Sequence, residues 1–216
     1  VSFKYNKRQK NILNNISLTI KKNEFVGIVG TSGSGKSTLI NILTGLISAD
    51  SGKILLDNRK IDISTNLWFE KIGYAPQQTI LFDSSIKENI YFGKIHNKKN
   101  QKTLRDIIQK TQLKNFINSL PKKENTIVGE LGSKLSEGQK QRIGIARALF
   151  RDPEILIFDE ITSSLDKKTE KKIIEVINKF KGKKTIILIS HNKAPLIKCD
   201  KILSIDEGNI KSVKLK

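Results

Sequence analysis

Three short stretches of this chain are apolar almost without interruption: Phe25-Val26-Gly27-Ile28-Val29, Ile155-Leu156-Ile157-Phe158, and Ile186-Ile187-Leu188-Ile189 after Thr185. Runs of this length with no polar alternation suit central strands of a parallel sheet, which are covered on both faces. The first leads into a Gly-rich loop and then into Leu39, Ile40, Ile42 and Leu43, the apolar stripe of a helix that Gly45 stops. Between the second and third lies a charged pattern of helical period from about Lys167 to Lys179. Strand, helix, strand in this order makes a parallel α/β sheet the economical arrangement.

Elsewhere the periodicity changes. Ser2-Phe3-Lys4-Tyr5 alternates, as do Ile16, Leu18 and Ile20, which predicts short strands in an N-terminal antiparallel layer. Residues 78–152 contain no buried-strand run; Leu104, Ile107, Ile108 and then Leu113, Phe116, Ile117 and Leu120 keep helical spacing. This predicts a helical subdomain over 78–152, inserted into an α/β core made from 1–77 and 153–216. Ile202 to Ile210 predicts a hairpin turning at Gly208. With no internal repeat and no low-complexity linker, the 216 residues read as a single domain.

Composition narrows the class. Hydrophobic residues at 37% and charged residues at 28% suit a soluble globular protein. No apolar run is long enough to span a bilayer as a helix. The absence of any Met, including at position 1, suggests a piece of a longer protein, and the lone Cys199 excludes an internal disulfide. A net charge of +19 is open to three readings, namely solvated surface, affinity for anionic lipid and nucleic-acid binding. Lys167, Lys168, Lys171 and Lys172 fall on one helical face, and no basic cluster is interleaved with aromatics as a base-stacking platform would be. Solvated surface is therefore the preferred reading, and no nucleic acid is expected.

The loop after the first apolar run changes the picture most. Gly30-Thr31-Ser32-Gly33-Ser34-Gly35-Lys36-Ser37 fits G-x-x-x-x-G-K-[ST], with Thr38 next in the helix. The glycines let successive backbone N–H groups turn inward around a phosphate, and the following helix presents its positive end. Lys36 adds a point charge at the β- and γ-phosphates, and the Ser37 hydroxyl is placed to bind Mg²⁺. Asp159 and Glu160 follow the second apolar run, so both carboxylates sit at a strand's carboxyl end, where ligands bind in open α/β sheets. Asp159 is expected to hold Mg²⁺ through its water shell, and Glu160 to polarise the attacking water.

Leu135-Ser136-Glu137-Gly138-Gln139, followed by Lys140-Gln141-Arg142, combines a Ser136/Gln139 capping box with a helix start. It resembles the ABC signature, usually LSGGQ, and Glu137 stands where that motif has Gly. In order and over essentially the whole chain, the P-loop, this motif and Asp159-Glu160 resemble an ATP-binding cassette domain: a P-loop NTPase (RecA-like) α/β core with an antiparallel layer and a helical insertion. The resemblance implies that Ser136, Gly138 and Gln139 bind the γ-phosphate of ATP held by a second subunit. It implies further that Tyr5 stacks on adenine and that Gln77 senses Mg²⁺ and the attacking water, with Gln78 beside it. By the same resemblance Asp166, in Ser164-Leu165-Asp166, crosses the dimer interface, and His191 contacts the γ-phosphate.

Thr126-Ile127-Val128-Gly129-Glu130-Leu131-Gly132 and Phe82 to Ile90 resemble the exporter form of this domain, in which they touch the intracellular ends of membrane helices. The exporter resemblance implies an ATPase that pairs as a homodimer or heterodimer and works at the cytoplasmic face of the membrane. It also implies contact with a fused transmembrane domain through Glu130 and the Phe82–Ile90 region. Lipid, lipid-linked oligosaccharide and peptide all remain open as cargo. The other readings are an ATPase acting on nucleic acid or ribosomes and a separate importer subunit, and the Thr126–Gly132 loop speaks against both.

Overall fold

The computed structural model describes residues 1–6, 10–93 and 98–213. In chain order, β1 (Phe25–Val29) is followed by α1 (Lys36–Leu43), β2 (Leu55–Leu56), β3 (Arg59–Lys60), α2 (Asn66–Lys71) and β4 (Ile72–Ala75). Four helices come next: α3 (Ile86–Tyr91), α4 (Lys98–Lys110), α5 (Lys114–Ser119) and α6 (Glu137–Phe150). The chain continues through β5 (Ile155–Asp159), α7 (Lys167–Asn178), β6 (Thr185–Ile189), α8 (Lys193–Leu196), β7 (Lys201–Asp206) and β8 (Asn209–Val213). It forms two compact units, one joining Val1–Ile72 to the chain from Lys181 onward, the other Gly73–Phe180.

In the first unit the strand order is β6-β1-β7-β8. β1 runs parallel to β6, from Phe25 opposite Ile186 to Ile28 opposite Ile189, and parallel to β7 on its other edge. Phe25, Val26 and Ile28 are fully buried, as are Ile186 and Ile189. Neighbours on opposite faces of the strand are buried alike, which is why these runs lack polar alternation. Helix α1 buries Leu39, Ile40 and Ile42, and Gly45 beyond its end has a left-handed φ of 75°. The predicted hairpin forms: β7 and β8 are antiparallel and joined by Glu207 and Gly208, both at positive φ.

The N-terminal layer is slighter than the alternation predicts. Ser2 and Phe3 each make a single antiparallel bridge, to Ser51 and Leu13, and no strand forms over residues 16–20. The regular antiparallel pairing in this part is the short β2–β3 hairpin. Phe3, Leu13 and Ile16 are nonetheless buried. The alternation thus reports burial, while Asn15, at a φ of 45°, interrupts the ladder, which resumes only where Val1 and Ile16 exchange backbone hydrogen bonds.

The start of β1 is fixed by a side chain. Asp200 Oδ2 accepts from Phe25 N–H at 2.9 Å, and Asp200 Oδ1 lies 2.6 Å from Lys181 Nζ. The hydrogen bond from the Lys181 ammonium, reinforced by Phe25 N–H, holds the Asp200 carboxyl below its usual range. A depressed folded-state pKa contributes stability above the unfolded value of about 3.8–3.9, and that stability is lost as pH falls through the folded value. Asp200→Asn is expected to lower the melting temperature at neutral pH. The effect is worth under about 1 kcal/mol because the pair is partly exposed. Thermal scans should show the gap from the parent closing below about pH 4. A gap that stays constant down to pH 2 would rule out the charge as its source.

In the second unit β4 and β5 are hydrogen-bonded neighbours, and Leu156, Ile157 and Phe158 are almost fully buried. Helix α6 packs against α3 and α4, and its Ile143, Ile145 and Ala146 are buried. From its last turns Arg147 donates to the carbonyls of Asn89 and Ile80 and to Asn89 Oδ1, and lies 4.9 Å over the Phe92 ring. Burial lowers the guanidinium pKa to about 10, so Arg147 stays charged at neutral pH and ties the segment 80–92 to α6. Among the described residues no helix is long and apolar enough to cross a membrane.

Candidate nucleotide site

On the first unit the Gly30–Ser37 loop joins β1 to α1. A Cβ at Gly30 would stand 2.3 Å from the Ile205 carbonyl oxygen and 2.7 Å from Ser34 Oγ, so no larger residue fits there. Gly35 has a φ of 107° and ends the loop as the N-cap of α1, with no side chain capping the helix and no acidic residue in its first turn. The first N–H groups of α1 are thereby left to a ligand, and the dipole there favours an anion. The surroundings of Gly33 are open: a Cβ there would meet nothing within 4 Å. Lys36, buried, donates from Nζ to the carbonyls of Gly30 and Thr31, each at 2.8 Å, and so curls the loop around its own ammonium. Ser34 is buried with its Oγ unpartnered, while Thr31, Ser32 and Ser37 are exposed. An uncapped helix start, a buried cation and open space at a glycine together fit a polyphosphate.

Two further residues of this unit come to the same place. Tyr5 OH lies 3.3 Å from Thr38 Oγ1 in the first turn of α1, and the Tyr5 ring, edge-on to Phe3, is 61% exposed. An aromatic face is thus available beside the loop for a stacked base. His191 follows β6 and is exposed. Ile28 pairs with Ile189, and Ser190 N–H donates to the Ile28 carbonyl, so His191 and Gly30 leave the same edge of the parallel sheet.

On the second unit Asp159 is buried at the carboxyl end of β5, and Tyr74 OH donates to its Oδ2 at 3.4 Å. Burial, and then the Asp159 charge, push the Tyr74 hydroxyl pKa well up, so it remains a donor. Glu160, next in the chain, has a φ of 49°. Gln77, beyond β4, donates from Nε2 to Glu160 Oε2 at 2.8 Å, and this bond distinguishes it from Gln78. Gln141 of α6 donates to the Glu160 carbonyl. Neither Gln141 nor Tyr74 is marked in the sequence; the run Lys140-Gln141-Arg142 identifies a helix but not which of its residues turns inward.

The start of α6 lies in the same unit. Ser136 is its N-cap: Gln139 N–H donates to Ser136 Oγ, and Ser136 N–H donates to Gln139 Oε1. Glu137 extends to Lys140, with 2.8 Å between Oε1 and Nζ, so the unusual carboxylate is paired on its own helix. A Cβ at Gly138 would come 2.9 Å from the Ser164 carbonyl, so the first turn of α6 rests on the Ser164-Leu165 turn. Asp166, next along, caps α7 by accepting from the backbone N–H groups of Lys168 and Thr169. These bonds, those with Thr169 foremost, hold its carboxyl below the usual range. Glu130 is exposed on a 3₁₀ turn (Glu130–Gly132), and Ile80, Phe82 and Leu131 of this unit are also exposed.

The chain is similar to known proteins over nearly its whole length. Residues 13–163 match the family described as ABC transporter. An export ATP-binding/permease protein of Rickettsia typhi is 44% identical over 212 residues, which cover 97% of this chain and 36% of that protein. A multidrug export ATP-binding/permease protein of Staphylococcus aureus is 40% identical over 214 residues, again 97% of this chain and 36% of its own length. The solved structure of a bacterial Atm1-family ABC exporter with ATP bound superposes with a TM-score of 0.91 at 35% identity, over 98% of this chain and 37% of that one. The chain thus spans little more than a third of the length of these relatives. The chain belongs to the ABC transporter family, as an ATP-binding ATPase domain of the form found in its export proteins.

Proposed function

We propose that this chain is the motor of an exporter: two such domains, identical or different, close around two ATP molecules and drive membrane helices in the rest of the protein. The observation that best supports the reading is the hydrogen bond from Gln77 to Glu160, which orients a carboxylate one residue beyond the buried Asp159. Glu160 accepts a proton from the attacking water while Gln77 fixes its direction, and Lys36 and the N–H groups of α1 stabilise charge on the phosphates. Tyr5 stacks on the base, Gly30 to Thr38 enclose the phosphates, and His191 contacts the γ-phosphate. Ser136, Gly138 and Gln139 read the γ-phosphate bound to the partner domain, and Asp166 lies in the segment that meets that partner. The hydroxyl of Ser37 and the buried carboxylate of Asp159 are hard oxygen donors of the kind Mg²⁺ takes, with Gln77 as a further oxygen ligand. Mg²⁺ when bound supplies charge neutralisation at the phosphate oxygens.

The exporter part of the reading places this domain at the cytoplasmic face of a membrane. Glu130 and the Phe82–Ile90 segment then contact the membrane domain, and Glu130 reports closure of the nucleotide site to it. Coupling of this kind is a free energy shared between sites, and cutting it need not harm the chemistry. Glu130→Ala is expected to leave ATP hydrolysis by the isolated domain within about threefold of the parent, under roughly 0.7 kcal/mol of barrier. In the full-length protein the same change should depress transport, or substrate-stimulated hydrolysis, far more. Matched preparations give the ratio of the two effects. Equal losses would assign Glu130 to the nucleotide site and remove the coupling role.

A further inference from the structure

Gln141 lies on α6 and is 3% exposed. Its Nε2 is 3.3 Å from the carbonyl oxygen of Glu160, while its Oε1 is buried and accepts no hydrogen bond. The amide orientation is fixed, because a carbonyl oxygen only accepts and so requires the nitrogen to face it. A buried glutamine that leaves half of its amide unsatisfied is poorly explained by packing; an apolar side chain of the same length would avoid that cost. What Gln141 holds is unusual too. Glu160 has a φ of 49°, in the left-handed region that residues with a Cβ rarely adopt and that clusters at working sites.

The same face of α6 makes a second contact with the apparatus around Glu160. Gly144 is three residues beyond Gln141 and so shares its face. A Cβ at Gly144 would stand 2.3 Å from Thr79 Oγ1, two residues past Gln77, whose amide grips the Glu160 carboxylate. One face of α6 therefore bears on the Glu160 backbone directly and on the Gln77 segment by contact. The N-terminus of that helix carries the capping box of Ser136 and Gln139. A helix transmits a small shift along its length because its backbone bonds make it stiff.

Resting on the proposed reading of Ser136 as a sensor of the partner's nucleotide, we infer that Gln141 is a positioning residue that links that sensor to Glu160. Nucleotide bound at the start of α6 then biases the catalytic carboxylate of the other site, the one this protomer completes with its own P-loop. Turnover at one site then depends on nucleotide at the other, so hydrolysis rises cooperatively with ATP concentration.

The test measures hydrolysis against ATP concentration for the full-length parent, Gln141→Met, Gln141→Glu and Glu160→Gln. Met keeps the length and loses the donor. Its kcat is expected to fall about tenfold or more, in the range of lost positioning at a base. Its KM should stay within about twofold of the parent, and its Hill coefficient should move towards one. The Glu variant supplies a readout that packing alone would not move. Its carboxyl can donate to the Glu160 carbonyl only when protonated, so its kcat relative to the parent should recover as pH falls. Parental kcat and cooperativity in Gln141→Met would overturn the inference. So would a parallel loss of kcat and ATP affinity together with a pH-independent ratio for Gln141→Glu. The Glu160→Gln control separates the two layers: parental turnover there overturns the reading of the site itself, whereas an inactive Glu160→Gln beside a fully active Gln141→Met overturns only the role of Gln141.

Discussion

Glu160→Gln is expected to keep ATP binding and to lose nearly all turnover. The substitution preserves the shape of the side chain, and its carboxamide can still meet Gln77 Nε2 through its oxygen. The proton acceptor disappears. Loss of a positioned base costs about 10²–10⁴-fold in rate, or roughly 3–5 kcal/mol of barrier. Binding energy that hydrolysis normally dissipates is then retained, so ATP with Mg²⁺ should hold two domains together. Size-exclusion chromatography should show a stable dimer for the variant and mostly monomer for the parent. A variant that hydrolyses ATP at the parental rate would show that Glu160 has another role.

The sequence carries the parts of this site whose cause is local. β1, β5 and β6 are legible because burial on both faces removes polar alternation, and the hairpin at Gly208 because its turn requires positive φ. The loop from Gly30 to Ser37 is legible for a similar reason, since backbone that encloses a phosphate admits few residue types. The strands expected at residues 2–5 and 16–20 do not form, because alternation reports burial of Phe3 and Ile16 and not the ladder that a strand needs. The roles of Gln141, Tyr74 and Arg147 are illegible for the opposite reason. Each is an ordinary residue in a helix or strand until a distant carbonyl or carboxylate is folded against it. The Glu137 carboxylate, which a linear reading sets against a phosphate, is met by Lys140 one turn on.

Mixing two inactive variants should restore hydrolysis if the nucleotide sites are shared between domains. Lys36→Ala removes the ammonium that curls the phosphate loop around itself. Ser136→Arg removes the hydroxyl that accepts from Gln139 N–H and puts a bulky cation at the start of α6. Each variant alone spoils both composite sites of its homodimer, the first through the loop and the second through the signature helix. A heterodimer keeps one intact pairing: the loop of the Ser136→Arg protomer facing the helix of the Lys36→Ala protomer. Random pairing makes about half of the dimers mixed, each with one good site of two, so recovery is bounded at roughly a quarter of parental turnover. A role for Gln141 lowers that bound, because the Glu160 serving the intact site belongs to the protomer whose own signature helix is damaged. Recovery between a few per cent and a quarter of the parental rate is therefore expected, with Gln141→Met in the Ser136→Arg protomer reducing it further. If mixing restores nothing although cross-linking shows that mixed dimers form with ATP, the shared-site mechanism is wrong for this protein.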